Sequence, residues 1–201
     1  MPLYVASPAK RACGLGAHLV LLDESGMLLA PLVRRTLAPR GQTPLLLHKA
    51  KHREKVSLIA ALTLSPSRHH LGLYFSSLLN SSFNHVGVAW FLRQLLKYLR
   101  GPVVVIWDRG PMHRGPEIRK LLEDYPRLTI ASLPAYAPDL NPVEQVWNYL
   151  KWSRLCNFAP IDCQELDQAA FGELQAIRKD KDRLRSFWRG SELPWPRALA
   201  S

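Results

Sequence analysis

The chain alternates between two hydrophobic periods. His18-Leu-Val-Leu-Leu-Asp23 is a short apolar run ending on a carboxylate, with the turn-prone pair Ser25-Gly26 just beyond it. Such a run predicts a buried strand, and residues 27–33 predict a second one after the turn. Residues 56–64 and 71–75 predict two more strands, with Ser65-Pro66-Ser67 turning between them. The period then changes. Val88, Leu92, Leu95, Leu96 and Leu99 share one helical face, Asn84 offers an N-cap, and Gly101-Pro102 stops the helix. Val103-Val-Val-Ile-Trp107 is again a buried-strand run, and it meets Asp108 and a Gly/Pro-rich loop reaching Pro116. A short helix over 117–123 and a strand over 128–133 follow. Asn141-Pro142-Val-Glu144 places Asn at the N-cap, Pro at the first helical position and Glu at the third, which predicts a helix to Arg154. Asp162 and Glu165 mark a further start, for a long polar helix toward Arg185.

Strands come first, then helix, strand, helix, strand, helix. An antiparallel meander followed by β–α–β crossovers builds an α/β fold, a mixed five-stranded sheet flanked by helices. Residues 34–55 interrupt the pattern; they are basic, contain Pro39, Gly41 and Pro44, and predict an insertion after the first strand. The expected division is a lead-in over 1–17, one domain over 18–189 and an irregular tail over 190–201. A single domain of 201 residues buries about 70% of its unfolded surface. No apolar run reaches the roughly 18 residues of a membrane span. The first sixteen residues lack the apolar block of a signal peptide. Cys13, Cys156 and Cys163 are an odd set without zinc-type pairing. A cytoplasmic protein with reduced thiols is the expectation.

Charge changes this picture. The net charge is +11, and residues 1–100 hold 13 Lys and Arg against 3 Asp and Glu, whereas residues 101–201 hold 14 against 13. Two clusters stand out: Arg34, Arg35 and Arg40, then Lys49, Lys51, Arg53 and Lys55 with His48 and His52 among them. Clustered positive charge is the footprint of a polyanion binder, nucleic acid above all, although it also occurs as a merely solvated surface.

Candidate chemistry lies in three acids. Asp23 and Asp108 fall at the predicted carboxyl ends of strands, where functional groups of such sheets collect. Glu144 lies in the first turn of the helix after the last strand, with 35 residues between it and Asp108. Each also has a structural reading: Asp23 as a turn residue, Asp108 as a loop cap, Glu144 as the third residue of a capping box. Together they form an oxygen-only set suited to hard cations such as Mg²⁺ or Mn²⁺. Two such ions, roughly 3.5–4 Å apart, can clamp both oxygens of a phosphodiester displacement.

At these residues the chain resembles a known family. Leu133-Pro-Ala-Tyr-Ala-Pro-Asp-Leu-Asn-Pro-Val-Glu144-Gln-Val-Trp147-Asn-Tyr-Leu-Lys151 is similar to the signature around the third acid of mariner-like transposases and related bacterial insertion-sequence transposases, the DDE type. Residues 103–113 resemble the segment of their second acid. Leu21-Leu-Asp23-Glu-Ser-Gly26, with Ala38-Pro-Arg-Gly-Gln-Thr-Pro44 later, resembles that of the first. The resemblance covers residues 18–154 and implies a ribonuclease-H-like fold. Asp23, Asp108 and Glu144 would hold two Mg²⁺ or Mn²⁺ ions, with Asp23 bridging them. The activity implied is DNA strand cleavage and strand transfer, often at TA targets, by a homodimer on double-stranded DNA. His113 matches a family position near the second acid. Trp147 and Lys151 share the helix face of Glu144, Trp147 as core and Lys151 as a phosphate contact.

The chain departs from the family pattern in Arg109, where Asn is common, and in Leu37, where Trp is usual. Fewer than twenty residues precede the first strand, so a separately encoded helix-turn-helix half is the expected DNA reader. Two alternatives stay open. One is a metal-dependent nuclease without strand transfer; the other is an inactive or repurposed fragment that binds DNA or a transposase.

Overall fold

The computed structural model describes residues 12, 14–47, 54–113, 115–134, 137–191 and 193. Its strands are β1 (His18–Leu28), β2 (Lys55–Leu64), β3 (Leu71–Leu79), β4 (Val103–Trp107) and β5 (Leu128–Ser132). Its helices are α1 (His85–Tyr98), α2 (Pro116–Asp124), α3 (Pro142–Tyr149), α4 (Cys163–Lys179) and α5 (Lys181–Arg189). The five strands form one sheet in the order β3-β2-β1-β4-β5. β1, β2 and β3 run antiparallel, and β4 and β5 run parallel to β1. This is the mixed five-stranded sheet that the element order predicts, in the ribonuclease-H-like arrangement that the family resemblance implies.

β1 is central and buried on both faces. Strand alternation sends Leu19 and Leu21 into one core with Trp147, Leu174 and Trp188, and Val20 and Leu22 into another with Leu92, Leu95 and Leu121. That double burial is why its sequence reads as a continuous apolar run rather than an alternating one.

The structure corrects several sequence expectations. Ser25-Gly26 makes no turn; both residues lie inside β1, where Ser25 pairs with Leu58 and Gly26 with Ser57. The antiparallel ladder to β2 runs on to Leu28↔Lys55, so one strand of 11 residues stands where a strand, turn and second strand were predicted. Cooperative pairing with a full partner strand outweighs a two-residue turn signal. Lys55 accordingly opens β2, so the basic excursion ends one residue earlier. Its residues 33–47 are exposed and without helix or strand. β3 extends past Phe75 to Leu79, because Ser76 to Leu79 pair with Ile59 to Val56.

The helix from Pro142 changes pitch at Leu150 into a π-turn over Leu150–Arg154, closed by Leu155 N–H to the Leu150 carbonyl. The long polar helix is two helices. Asp180 caps the end of α4 with its N–H, and its carboxylate then accepts from Arg183 N–H to start α5. The break lets Leu184, Phe187 and Trp188 reach the core. Among the described residues no helix is long and apolar enough to cross a membrane.

Candidate active site

The parallel ladder between β1 and β4 runs from His18↔Val103 to Leu21↔Ile106. Two further steps along each strand reach Asp23 and Asp108, so the two acids stand level on neighbouring strands. Asp108 follows the last residue of β4, as expected. Asp23 lies in the middle of β1 rather than at its carboxyl end, opposite Ala60 of β2. It is 8% exposed. The Asp108 side chain is 57% exposed, and its Oδ1 accepts from Gly110 N–H at 2.8 Å. A Cβ on Gly110 would come 2.4 Å from Met112 Sδ and 3.0 Å from that same oxygen, so a larger residue there would displace the Met112 side chain and crowd Asp108.

α3 brings Glu144. Asn141 Oδ1 accepts from Val143 N–H and caps the helix, while its Nδ2 donates to the Leu22 carbonyl. Trp147 Nε1 donates to Asp23 Oδ2 at 2.8 Å, and Lys151 Nζ donates to Ser25 Oγ at 2.7 Å. Three side chains of one helical segment thus grip β1 at residues 22, 23 and 25, and Glu144 rides on the same face. A cleft of about 440 Å³ opens beside it, lined by Glu144, Trp147, Asn148, Lys151 and Trp152 among others. The π-turn carries Lys151 and Trp152; such turns recur at functional positions.

The electrostatics tie the acids together. Burial pushes the Asp23 carboxyl up to about 8; the Glu144 charge adds to this, the Trp147 hydrogen bond opposes it, and Glu24 and Asp108 raise it further. Burial also raises Glu144, with Lys151 opposing and Asp108 adding. Burial lowers Lys151, while Glu144 and Asp23 hold its charge in place. Asp23 therefore stays protonated at neutral pH, and Lys151 partly balances the cluster. Among the described residues, no three His, Cys, Asp or Glu side chains are gathered as a finished metal cage. The donor set nevertheless fits a hard cation. Three carboxylates repel one another, one keeps its proton to relieve that repulsion, and a divalent ion could replace the proton.

His113 and Glu24 form a second tier. The His113 ring is stacked on Trp107 at 4.3 Å between centroids, with planes 8° apart. Its Nε2 lies 3.1 Å from Glu24 Oε1, and its Nδ1 lies 3.0 Å from Asp108 Oδ1 and 3.1 Å from the Asp108 carbonyl. Burial pulls the imidazole down, but the hydrogen bond and charge of Glu24, with Asp108, outweigh it and hold the ring above its ordinary value. Sequence reasoning missed Glu24, whose signal was adjacency to Asp23. It also read Trp147 as core only; its place one turn beyond Glu144 was the clue to its bond with Asp23.

The basic candidates divide. Arg34 N–H donates to Asn157 Oδ1, and its Nη1 donates to the Trp152 carbonyl at 2.7 Å, which straps the start of the excursion to the π-turn. Arg35 and Arg40 are exposed. Lys55 Nζ donates to Ser82 Oγ. Lys49, Lys51 and Arg53 lie outside the described residues. Lys151 thus lines the cleft beside Glu144, and Arg34 is tied to the carbonyl of Trp152, which lines it too.

A family model described as DDE superfamily endonuclease matches residues 18–166. No curated protein matches the chain. The fold is similar to a Mos1 transposase paired-end complex with left transposon end, at 20% identity and a TM-score of 0.63 over 93% of this chain and 55% of that one. A pre-cleavage Mos1 transpososome is similar at 19% identity and 0.64, over 92% and 55%. The catalytic domain of Mos1 mariner transposase is similar at 17% identity and 0.56, over 92% and 80%. The chain spans about half the length of the first two.

Proposed function

The chain belongs to the DDE superfamily endonucleases, and we propose that it is the catalytic domain of a cut-and-paste DNA transposase in which Asp23, Asp108 and Glu144 hold two Mg²⁺ or Mn²⁺ ions. The observation that carries this reading is that Asp23 and Asp108 each lie two residues past the last β1–β4 pair, Asp108 just beyond its strand, with the charges of Glu144 and Asp108 both felt at Asp23. Solved Mos1 structures include paired-end complexes with Mn and with Mg and a strand transfer complex, which supports the choice of ion and reaction.

When bound, the ions supply Lewis acidity at the scissile phosphate and a clamp on the attacking and leaving oxygens. The chain's own groups do the rest. Asp23 gives up its proton as the site fills, and Trp147 holds its Oδ2 in place. Lys151 neutralises phosphate charge once the carboxylates are engaged. Arg34, Arg35, Arg40, Lys49, Lys51, Arg53 and Lys55 contact DNA phosphates, which position the duplex without reading its sequence. A homodimer would complete the active complex, with TA dinucleotides among its DNA targets.

A nuclease that cuts without strand transfer would use the same acids, so the test separates the two. The chain is incubated with supercoiled plasmid, Mn²⁺ and a short duplex bearing a free 3′-hydroxyl end. Nicking is expected, with the duplex joined to plasmid if strand transfer belongs to the activity; nicking alone favours the nuclease. Glu144→Gln should melt like the wild type and lose more than about 100-fold in nicking, beyond the usual cost of an outer-shell change. No nicking by the wild type, or full nicking by Glu144→Gln, counts against the acid-triad mechanism.

A further inference from the structure

The His113 ring is held by a stack on one face and by contacts at both ring nitrogens. Its side chain is 3% exposed, it is stacked on Trp107, and both ring nitrogens face oxygens of acidic residues. In its protonated form the ring donates from both nitrogens, toward Glu24 Oε1 on one side and toward Asp108 on the other. Asp108 Oδ1 also accepts from Gly110 N–H, and His113 N–H closes the loop on the Gly110 carbonyl at 3.1 Å. One oxygen of the Asp108 carboxyl is therefore hydrogen-bonded by its own loop and ion-paired with His113 at 3.0 Å, while the ring's hydrogen bond goes to the Asp108 carbonyl.

Glu24 is the unexpected member. Its side chain is 13% exposed and stands next to Asp23, in a cluster that already crowds three carboxylates. A fourth raises the repulsion among them and needs a compensating role. Its contact with His113 spans 89 residues of sequence and joins β1 to the loop after β4.

We infer that Glu24 and His113 are positioning residues for Asp108: Glu24 orients the His113 ring, and the ring sets the plane of the Asp108 carboxyl for metal binding. This rests on the metal-site reading above. Histidine–carboxylate pairs that orient a metal ligand typically contribute 10–100-fold to metal affinity.

The test is Mn²⁺ binding to the full chain by titration calorimetry, with the electron paramagnetic resonance line of bound Mn²⁺ as a second readout. Four variants are compared: Glu24→Ala, Glu24→Gln, His113→Ala and Asp108→Asn. Metal-free melting curves confirm that each folds. Glu24→Ala and His113→Ala should each bind Mn²⁺ about tenfold more weakly or worse, with a changed line shape. Glu24→Gln keeps an oxygen acceptor for the ring and should bind like the wild type. Wild-type affinity in Glu24→Ala, with Asp108→Asn still defective, overturns the relay and leaves the metal site standing. Equal losses in Glu24→Gln and Glu24→Ala also overturn it, because they would make Glu24 itself a ligand. Undiminished binding in Asp108→Asn overturns the metal site and the relay together. If Glu24→Ala fails to fold, the contrast between His113→Ala and Glu24→Gln decides.

Discussion

A carboxyl group that keeps its proton to about pH 8 makes the folded state more proton-rich than the unfolded chain. Unfolded, Asp23 ionises near 3.9. Between those values the folded state binds the extra proton, so stability is greatest at low pH and falls as pH rises, by about 1.4 kcal/mol per unit while Asp23 dominates. Glu144 and His113, both held above their ordinary values, act in the same direction. The metal-free protein should lose melting temperature from pH 5 to 8, and saturating Mn²⁺ should restore it at pH 8. Asp23→Asn should flatten the slope and abolish the restoration. Equal slopes in wild type and Asp23→Asn would mean that Asp23 ionises normally. At this scale the positions of Asp108 and Glu144 were legible, because a strand end and a helix start mark them, whereas Asp23 falls inside β1 rather than at its end. Their supports were not. Trp147 meets Asp23 across 124 residues of sequence, and His113 meets Glu24 across 89, distances that no local pattern encodes.

At the scale of elements, the site depends on how α3 docks on β1. Trp147 is 2% exposed and joins packing and chemistry in one side chain. Trp147→Phe keeps most of the apolar contact and removes the N–H that favours ionised Asp23. The variant should fold with a loss of about 1–3 kcal/mol, the cost of one buried hydrogen bond. The pH needed for half of the Mn²⁺-dependent gain in melting temperature should move upward. An unchanged pH midpoint would show that the bond does not tune Asp23. Helices and most strands were legible from their periods and caps. The unbroken β1, the π-turn and the division at Asp180 were not, since each follows from pairing or packing with a distant segment. Ser25-Gly26 is turn chemistry only until β2 lies alongside it.

Across the whole molecule, charge and chemistry are arranged against each other. The acids gather about the ends of the β1–β4 pairing, while Lys151 lines the cleft beside Glu144, Arg34 is bonded to Trp152 of its lining, and Arg35 and Arg40 are exposed. Under the proposed function, positive charge around the acids would draw DNA to a site that carboxylates alone would repel. The sheet itself is lopsided there. β1 runs on to Leu28, whereas β4 stops at Trp107. His18 N–H donates to Pro102 beside β4, and Leu29 N–H donates to Glu54 beside β2, so even-numbered amides of this strand point one way and odd-numbered ones the other. Past Leu22 the even-numbered amides face beyond the end of their neighbour. Amide deuterium uptake in the metal-free protein should therefore alternate along one continuous strand: fast at Glu24 and Gly26, slow at Asp23, Ser25 and Met27. Uniform slow exchange over residues 23–27 would mean that the loop after β4 seals this edge, leaving the backbone around Asp23 as rigid as the middle of the sheet.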